Sequence, residues 1–208
     1  MTSNCYVVYD EDTKRCLVID PASEKSVREI EFIDNNSLQL DYVILTHEHT
    51  DHTWGVNALI DRYLSAKVIC SEECEKALAK ETKKYFQLYY DNSNYEYNVR
   101  RVDYTTEKLG KRIGWNEHII SFVTTSGHTP GSICVVIDDI LFGGDTLMPY
   151  KPLIKKRNGG SIDDFRKSLI IIEKLFCPDT LVYPGHGECM ILEDIFQIYR
   201  QLSLIDSL

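Results

Sequence analysis

His47-Glu48-His49-Thr50-Asp51-His52 follows the apolar run Tyr42-Val43-Ile44-Leu45-Thr46, and this junction decides how the chain is read. Three histidines and an aspartate fall within six positions, although the whole sequence holds only six histidines. Half of them in one loop is not a composition effect. Imidazole and carboxylate are ligands that zinc, iron and manganese accept. A strand that ends in a loop can aim several such groups at one point. The segment reads as a metal site.

Three further stretches repeat the arrangement. Gly127-His128-Thr129-Pro130-Gly131 is a turn after an apolar strand, and Gly143-Gly144-Asp145-Thr146 ends the short strand Ile140 to Phe142. Pro184-Gly185-His186-Gly187 again follows an apolar run. Each places one ligand-type side chain at a strand end, beside glycines that let the backbone turn tightly. The candidate set is therefore His47, His49, Asp51, His52, His128, Asp145 and His186. Seven ligands exceed one tetrahedral zinc and suit two cations sharing a carboxylate.

On these residues the sequence resembles the metallo-β-lactamase superfamily. The HxHxDH signature reads His47, His49, Asp51, His52, and the later histidine, aspartate and final histidine fall in family order, the likeness running from about residue 4 to 190. The resemblance implies an α/β (α+β) fold, the four-layer αββα sandwich, with metals held at one edge. Carried over by position, His47, His49 and His128 would hold the first metal and Asp51, His52 and His186 the second, with Asp145 bridging. Two divalent ions follow, zinc first, iron or manganese as alternatives. Two close cations lower the pKa of a bridging water towards about 7, so hydroxide is supplied at neutral pH. Asp51 is the expected catalytic group, orienting that water or taking its proton.

Within the superfamily, Asp145 argues against antibiotic hydrolysis, because the zinc β-lactamases lack the bridging aspartate. The glyoxalase II (hydroxyacylglutathione hydrolase) branch is most similar, through Asn4-Cys5-Tyr6, Thr129-Pro130-Gly131-Ser132 and Leu141-Phe142-Gly143-Gly144-Asp145-Thr146-Leu147. The expected reaction is hydrolysis of a thioester or ester. Two departures stand out. Only one helix is expected after His186, where full-length members of that branch carry a helical glutathione-binding region. Lys155-Lys156-Arg157-Asn158-Gly159-Gly160 replaces the Gly-Arg-Thr-Asp run of that branch. Lactonases and mononuclear iron persulfide dioxygenases share the ligand set and are the alternatives. A non-catalytic binding protein would not need every ligand.

The remaining features bound the reading. A chain of 208 residues favours one compact domain over 1–208. A net charge of −9 argues against broad binding to nucleic acid or anionic membranes. No window approaches a membrane span, and seven cysteines without a leader pattern favour thiols in a reducing cytoplasm. Lys151, Lys155, Lys156 and Arg157 make a basic cluster; Lys155, Lys156 and Arg157 are candidate contacts for an anionic small-molecule substrate, against the plainer reading of solvated loop charge. Tyr85, Tyr89, Tyr90, Tyr95 and Tyr97 crowd an irregular stretch, 85–112, read as a family-specific insertion whose tyrosines pack over the fold. His118 is a strand-start histidine with no ligand role, and Cys189 a small core residue opening a helix.

The periodicities predict a hairpin from Cys5 to Asp20 and a helix after Ser23 with Val27 and Ile30 inward. A second helix carries Val56, Leu59, Ile60, Tyr63 and Leu64 on one face. Strands are expected at Lys67 to Cys70, Ile119 to Thr124, Ile133 to Ile137, Ile140 to Phe142 and Leu181 to Tyr183. Helices are expected from Ser71, at Ile162 to Phe176 and at Ile191 to Leu204.

Overall fold

The computed structural model describes residues 3–79 and 97–205, which fall in two units, Met1–Thr105 and Thr106–Leu208. In the first, β1 (Tyr6–Asp10) and β2 (Arg15–Ile19) form the expected antiparallel hairpin. Asp10 closes its turn: Oδ1 accepts the backbone N–H of Asp12 at 2.9 Å and of Thr13 at 3.1 Å. Such local capture of backbone donors is why aspartate favours turns. β3 (Gln39–Ile44), β4 (Lys67–Cys70) and β5 (Tyr104–Thr105) then add in parallel, giving a five-stranded sheet in chain order.

Parallel neighbours require crossovers. They are supplied by α1 (Val27–Asn35) and by α3 (Val56–Arg62), which follows the one-turn α2 (Thr50–Thr53). α4 (Glu72–Leu78) starts at Ser71, whose hydroxyl accepts the Cys74 N–H at 3.1 Å. Val18, Leu40, Val43 and Val68 of the sheet bury against Ile33, Leu59 and Leu78.

Thr106–Leu208 holds a six-stranded sheet in the order β11-β10-β9-β8-β7-β6. β6 (Arg112–Trp115), β7 (His118–Thr124), β8 (Ile133–Ile137) and β9 (Ile140–Gly144) run as an antiparallel meander. After α5 (Ile162–Leu175), β10 (Leu181–Pro184) joins β9 in parallel, and β11 (Met190–Ile191) closes the edge before α6 (Leu192–Gln201). α5 buries Phe165, Leu169 and Ile172, and α6 buries Leu192, Ile195, Phe196 and Tyr199, both at helical spacing. Cys134, Val136, Leu141 and Val182 meet them from the sheet. Each such side chain contributes about 1.5–3 kcal/mol by leaving water.

Four expectations need correction. α1 begins at Val27, because Ser26 stands at φ 42° and interrupts any helix from Ser23. Val27 is 49% exposed, and Ile33 is the buried residue. α3 ends at Arg62, which leaves Leu64 outside the helix and 77% exposed. Cys189 is exposed in the connection before β11, not a core residue opening a helix. Tyr85, Tyr89, Tyr90 and Tyr95 lie outside the described residues, whereas Tyr97 is buried and its hydroxyl donates to the Thr53 carbonyl. Among the described residues no helix is long and apolar enough to cross a membrane.

Candidate metal centre

The first unit carries four of the expected ligands. Beyond β3 the Leu45 N–H still bonds to the Ile69 carbonyl at 2.9 Å, so the chain leaves the sheet only at Thr46. His47, His49, Asp51 and His52 follow at once, the last two within α2. His47 and His52 are buried, His49 and Asp51 half-buried.

A residue the sequence reading missed organises this loop. Asp20 sits just past β2 at φ 52°, held by its N–H on the Ile44 carbonyl at 3.0 Å. Its Oδ1 accepts the Thr46 N–H at 2.8 Å, and its Oδ2 accepts the Thr46 hydroxyl at 2.6 Å. The same Oδ2 lies 2.9 Å from His52 Nδ1. A carboxylate accepts only, so Nδ1 of His52 is the protonated nitrogen and Nε2 carries the lone pair. Thr46, having spent its hydrogen on Asp20, accepts from His47 Nδ1 at 3.1 Å, and this fixes the same tautomer on His47. Both imidazoles thus present Nε2 as donor to a cation. The sequence signal was one acid directly after the apolar run Cys16–Ile19 and before Pro21.

The second unit holds the other three. His128 lies in the β7–β8 turn, Asp145 directly after β9 and His186 two residues after β10. Gly127 stands at φ 143°, and a Cβ there would fall 2.5 Å from Phe165 Cβ and N, so only glycine lets α5 approach this turn. The Ser161 N–H donates to the Gly127 carbonyl at 2.9 Å and the Ser168 hydroxyl to the Ser126 carbonyl at 2.7 Å. Across the strand pair, the Gly185 N–H bonds to the Gly144 carbonyl at 2.8 Å and ties the His186 turn to the residue before Asp145.

The donor atoms suit a cation. Bonds of 2.0–2.1 Å in a tetrahedron place neighbouring ligand atoms about 3.4 Å apart. His128 Nε2 is 3.4 Å from Asp145 Oδ2, and His186 Nε2 is 3.7 Å from Asp145 Oδ1. In the first unit His47 Nε2 and His49 Nδ1 are 3.0 Å apart. One carboxylate that turns each oxygen to a different imidazole has the shape of a bridging ligand.

The other singled-out residues sort themselves. Lys156–Asn158 form a single 3-10 turn, with Lys156 and Arg157 exposed and Lys155 half-buried. This loop rests on the His128 turn: a Cβ on Gly160 would lie 3.1 Å from the His128 carbonyl and 2.9 Å from Lys155 N and O. Lys151 is exposed. His118 opens β7 and lies 2.7 Å from Asp138, which accounts for it without a ligand role. Burial and the neighbouring Glu188 push the Cys189 thiol up, which disfavours the thiolate a metal or nucleophile role needs.

The family model described as the metallo-beta-lactamase superfamily matches residues 1–186. The chain belongs to that superfamily. The match spans both units, and it makes the fold the metallo-β-lactamase type expected from the sequence. Among relatives, the probable polyketide biosynthesis zinc-dependent hydrolase BaeB of Bacillus velezensis is 28% identical over 190 residues, covering 90% of this chain and 74% of its own. The hydroxyacylglutathione hydrolase of Prochlorococcus marinus is 30% identical over 177 residues, with 83% of this chain matched to 61% of that protein. A solved structure, TTHA1623 in a di-iron-bound form, matches with a TM-score of 0.74 at 19% identity, over 96% of this chain and 92% of that one. The superfamily is one of metal-binding hydrolases.

Proposed function

We propose that the chain is a dinuclear metallohydrolase acting on a thioester or ester of the glyoxalase II type. In this reading His47, His49 and His128 serve one cation, Asp51, His52 and His186 the other, and Asp145 both. The observation that carries it is Asp145, whose two oxygens face the imidazoles of His128 and His186 separately. Bound divalent cations supply Lewis acidity and bring the pKa of coordinated water to about 7.

The chain's own residues do the rest. Asp20 and Thr46 lock His52 and His47 in the tautomer that offers Nε2. Asp51 is half-buried at the start of α2, with its carbonyl fixed by the Ser3 hydroxyl, and its carboxylate is the group to orient water or take its proton. Lys155, Lys156 and Arg157, on the loop that rests against the His128 turn, receive the anionic end of a small substrate. Zinc is the first choice of metal, as in the name of the BaeB relative, with iron favoured next by the di-iron form of a protein of this fold. Seven thiols and no disulfide among them support a cytoplasmic setting.

Elemental analysis of protein purified without added metal is the first test, with two ions per chain expected. Asp145→Ala should lose metal and thioesterase activity together; full activity in that variant ends the assignment. One iron per chain with oxygen uptake on glutathione persulfide would replace hydrolysis by the dioxygenase reading. Changing Lys155, Lys156 and Arg157 together to serine should raise KM for anionic substrates and leave neutral ones unchanged.

A further inference from the structure

The turn that follows Asp145 is poorly held by its own backbone. The Thr146 and Leu147 N–H groups both reach for the Gly143 carbonyl, at 3.2 and 3.4 Å, longer than the usual 2.9–3.0 Å. Two better bonds come from outside. The Met148 N–H donates to the Tyr199 hydroxyl oxygen at 2.8 Å, and the Tyr199 hydroxyl donates to the Thr146 carbonyl at 3.0 Å. One phenol thus uses a donor and an acceptor on main-chain groups that flank Leu147, starting at the residue next to Asp145. Tyr199 is fully buried in α6, its ring 5.9 Å from that of Phe165.

Packing does not explain the hydroxyl. The buried apolar cluster around Tyr199 is otherwise made of aliphatic and phenylalanine side chains and one cysteine. A phenylalanine would fill the same volume without a polar atom to desolvate, so the hydroxyl is there for the bonds it makes.

We propose that Tyr199 is the positioning residue that fixes the Asp145 carboxylate for metal binding, acting through the Thr146–Met148 turn; this rests on reading Asp145 as a ligand. α6, the last helix described, thereby sets the affinity of a centre to which it contributes no ligand.

The test is zinc binding to the full chain by chelator competition, with melting temperature read in parallel. Tyr199→Phe keeps the ring and should weaken zinc at least tenfold. Ile172→Val combined with Ile195→Val thins the same cluster and should lower the melting temperature while zinc affinity stays within about twofold. Equal weakening in both variants, or none in Tyr199→Phe, overturns the inference. Asp145→Ala separates it from the reading beneath it. If that variant loses zinc and Tyr199→Phe does not, the Tyr199 role alone falls. If Asp145→Ala still binds zinc normally, or the parent binds no zinc, iron(II) or manganese(II), both fall. Amide exchange in the parent checks the same point without a variant: the Met148 amide should be protected as strongly as those of β9, and exchange at the rate of an open loop contradicts the proposal.

Discussion

A carboxylate that is 2% exposed is costly unless its oxygens are satisfied, and Asp20 satisfies both on the loop that carries the histidines. Asp20→Ala should therefore act twice. It strands the Thr46 N–H and His52 Nδ1 in the interior, lowering stability by about 3 kcal/mol in urea titrations. It also frees the His52 ring to rotate, and zinc affinity by chelator competition should fall about 10–100-fold, the usual effect of losing a group that orients a ligand. Cys134 makes a prediction of a different kind. Burial pushes its thiol from 9.0 up to about 12. The folded state therefore keeps a proton that the unfolded chain releases first. The contribution is complete below about pH 9 and is lost as pH rises from about 9 to about 12, by about 1.4 kcal/mol per pH unit. Urea stability of the parent should decline over that window; buried Cys16, also pushed up to about 12, adds to it, so Cys134→Ala should make the decline shallower without removing it.

At the level of elements, α5 joins its own start to the His128 turn. Ser161 caps it by accepting the Asp164 N–H at 3.2 Å, while its backbone N–H holds the Gly127 carbonyl. Ser161→Ala should cost about 1 kcal/mol by thermal or urea unfolding, leaving the backbone bond in place. The elements legible in the sequence were those whose apolar period outlasts one turn or one hairpin: α5 with Phe165, Leu169 and Ile172, or β8, buried at all five positions. β5 and β11 have two residues each and α2 four, too short for a period to show. α1 misled because Val27 fits the apolar pattern while the left-handed Ser26 sets where the helix begins. The candidate ligands were readable because each stands at or just past a strand end, beside a glycine or within two residues of another candidate. Asp20 and Tyr199 were not, since their partners lie 26 and about 50 residues away and only folding brings them together.

Over the whole molecule, the thiols divide by depth. Cys177 and Cys189 are exposed, Cys16, Cys70, Cys74 and Cys134 are buried, and half-buried Cys5 is held protonated by burial and by Glu29. An aromatic disulfide reagent at about pH 8 should titrate Cys177 first, Cys189 more slowly because its thiol is pushed up, and the other five only after denaturation. Cys177→Ser with Cys189→Ser should abolish both native-state phases. The parallel β9–β10 pair has a reach of another sort. Its ladder continues one residue past β10, through the Gly185 N–H to the carbonyl of Gly144 at the end of β9, one residue short of His186 and of Asp145. The gap between those two candidate ligands is thus written in main-chain geometry, which every amino acid shares. Side chains along the strands can therefore change without moving the two carbonyl and amide groups that set this spacing.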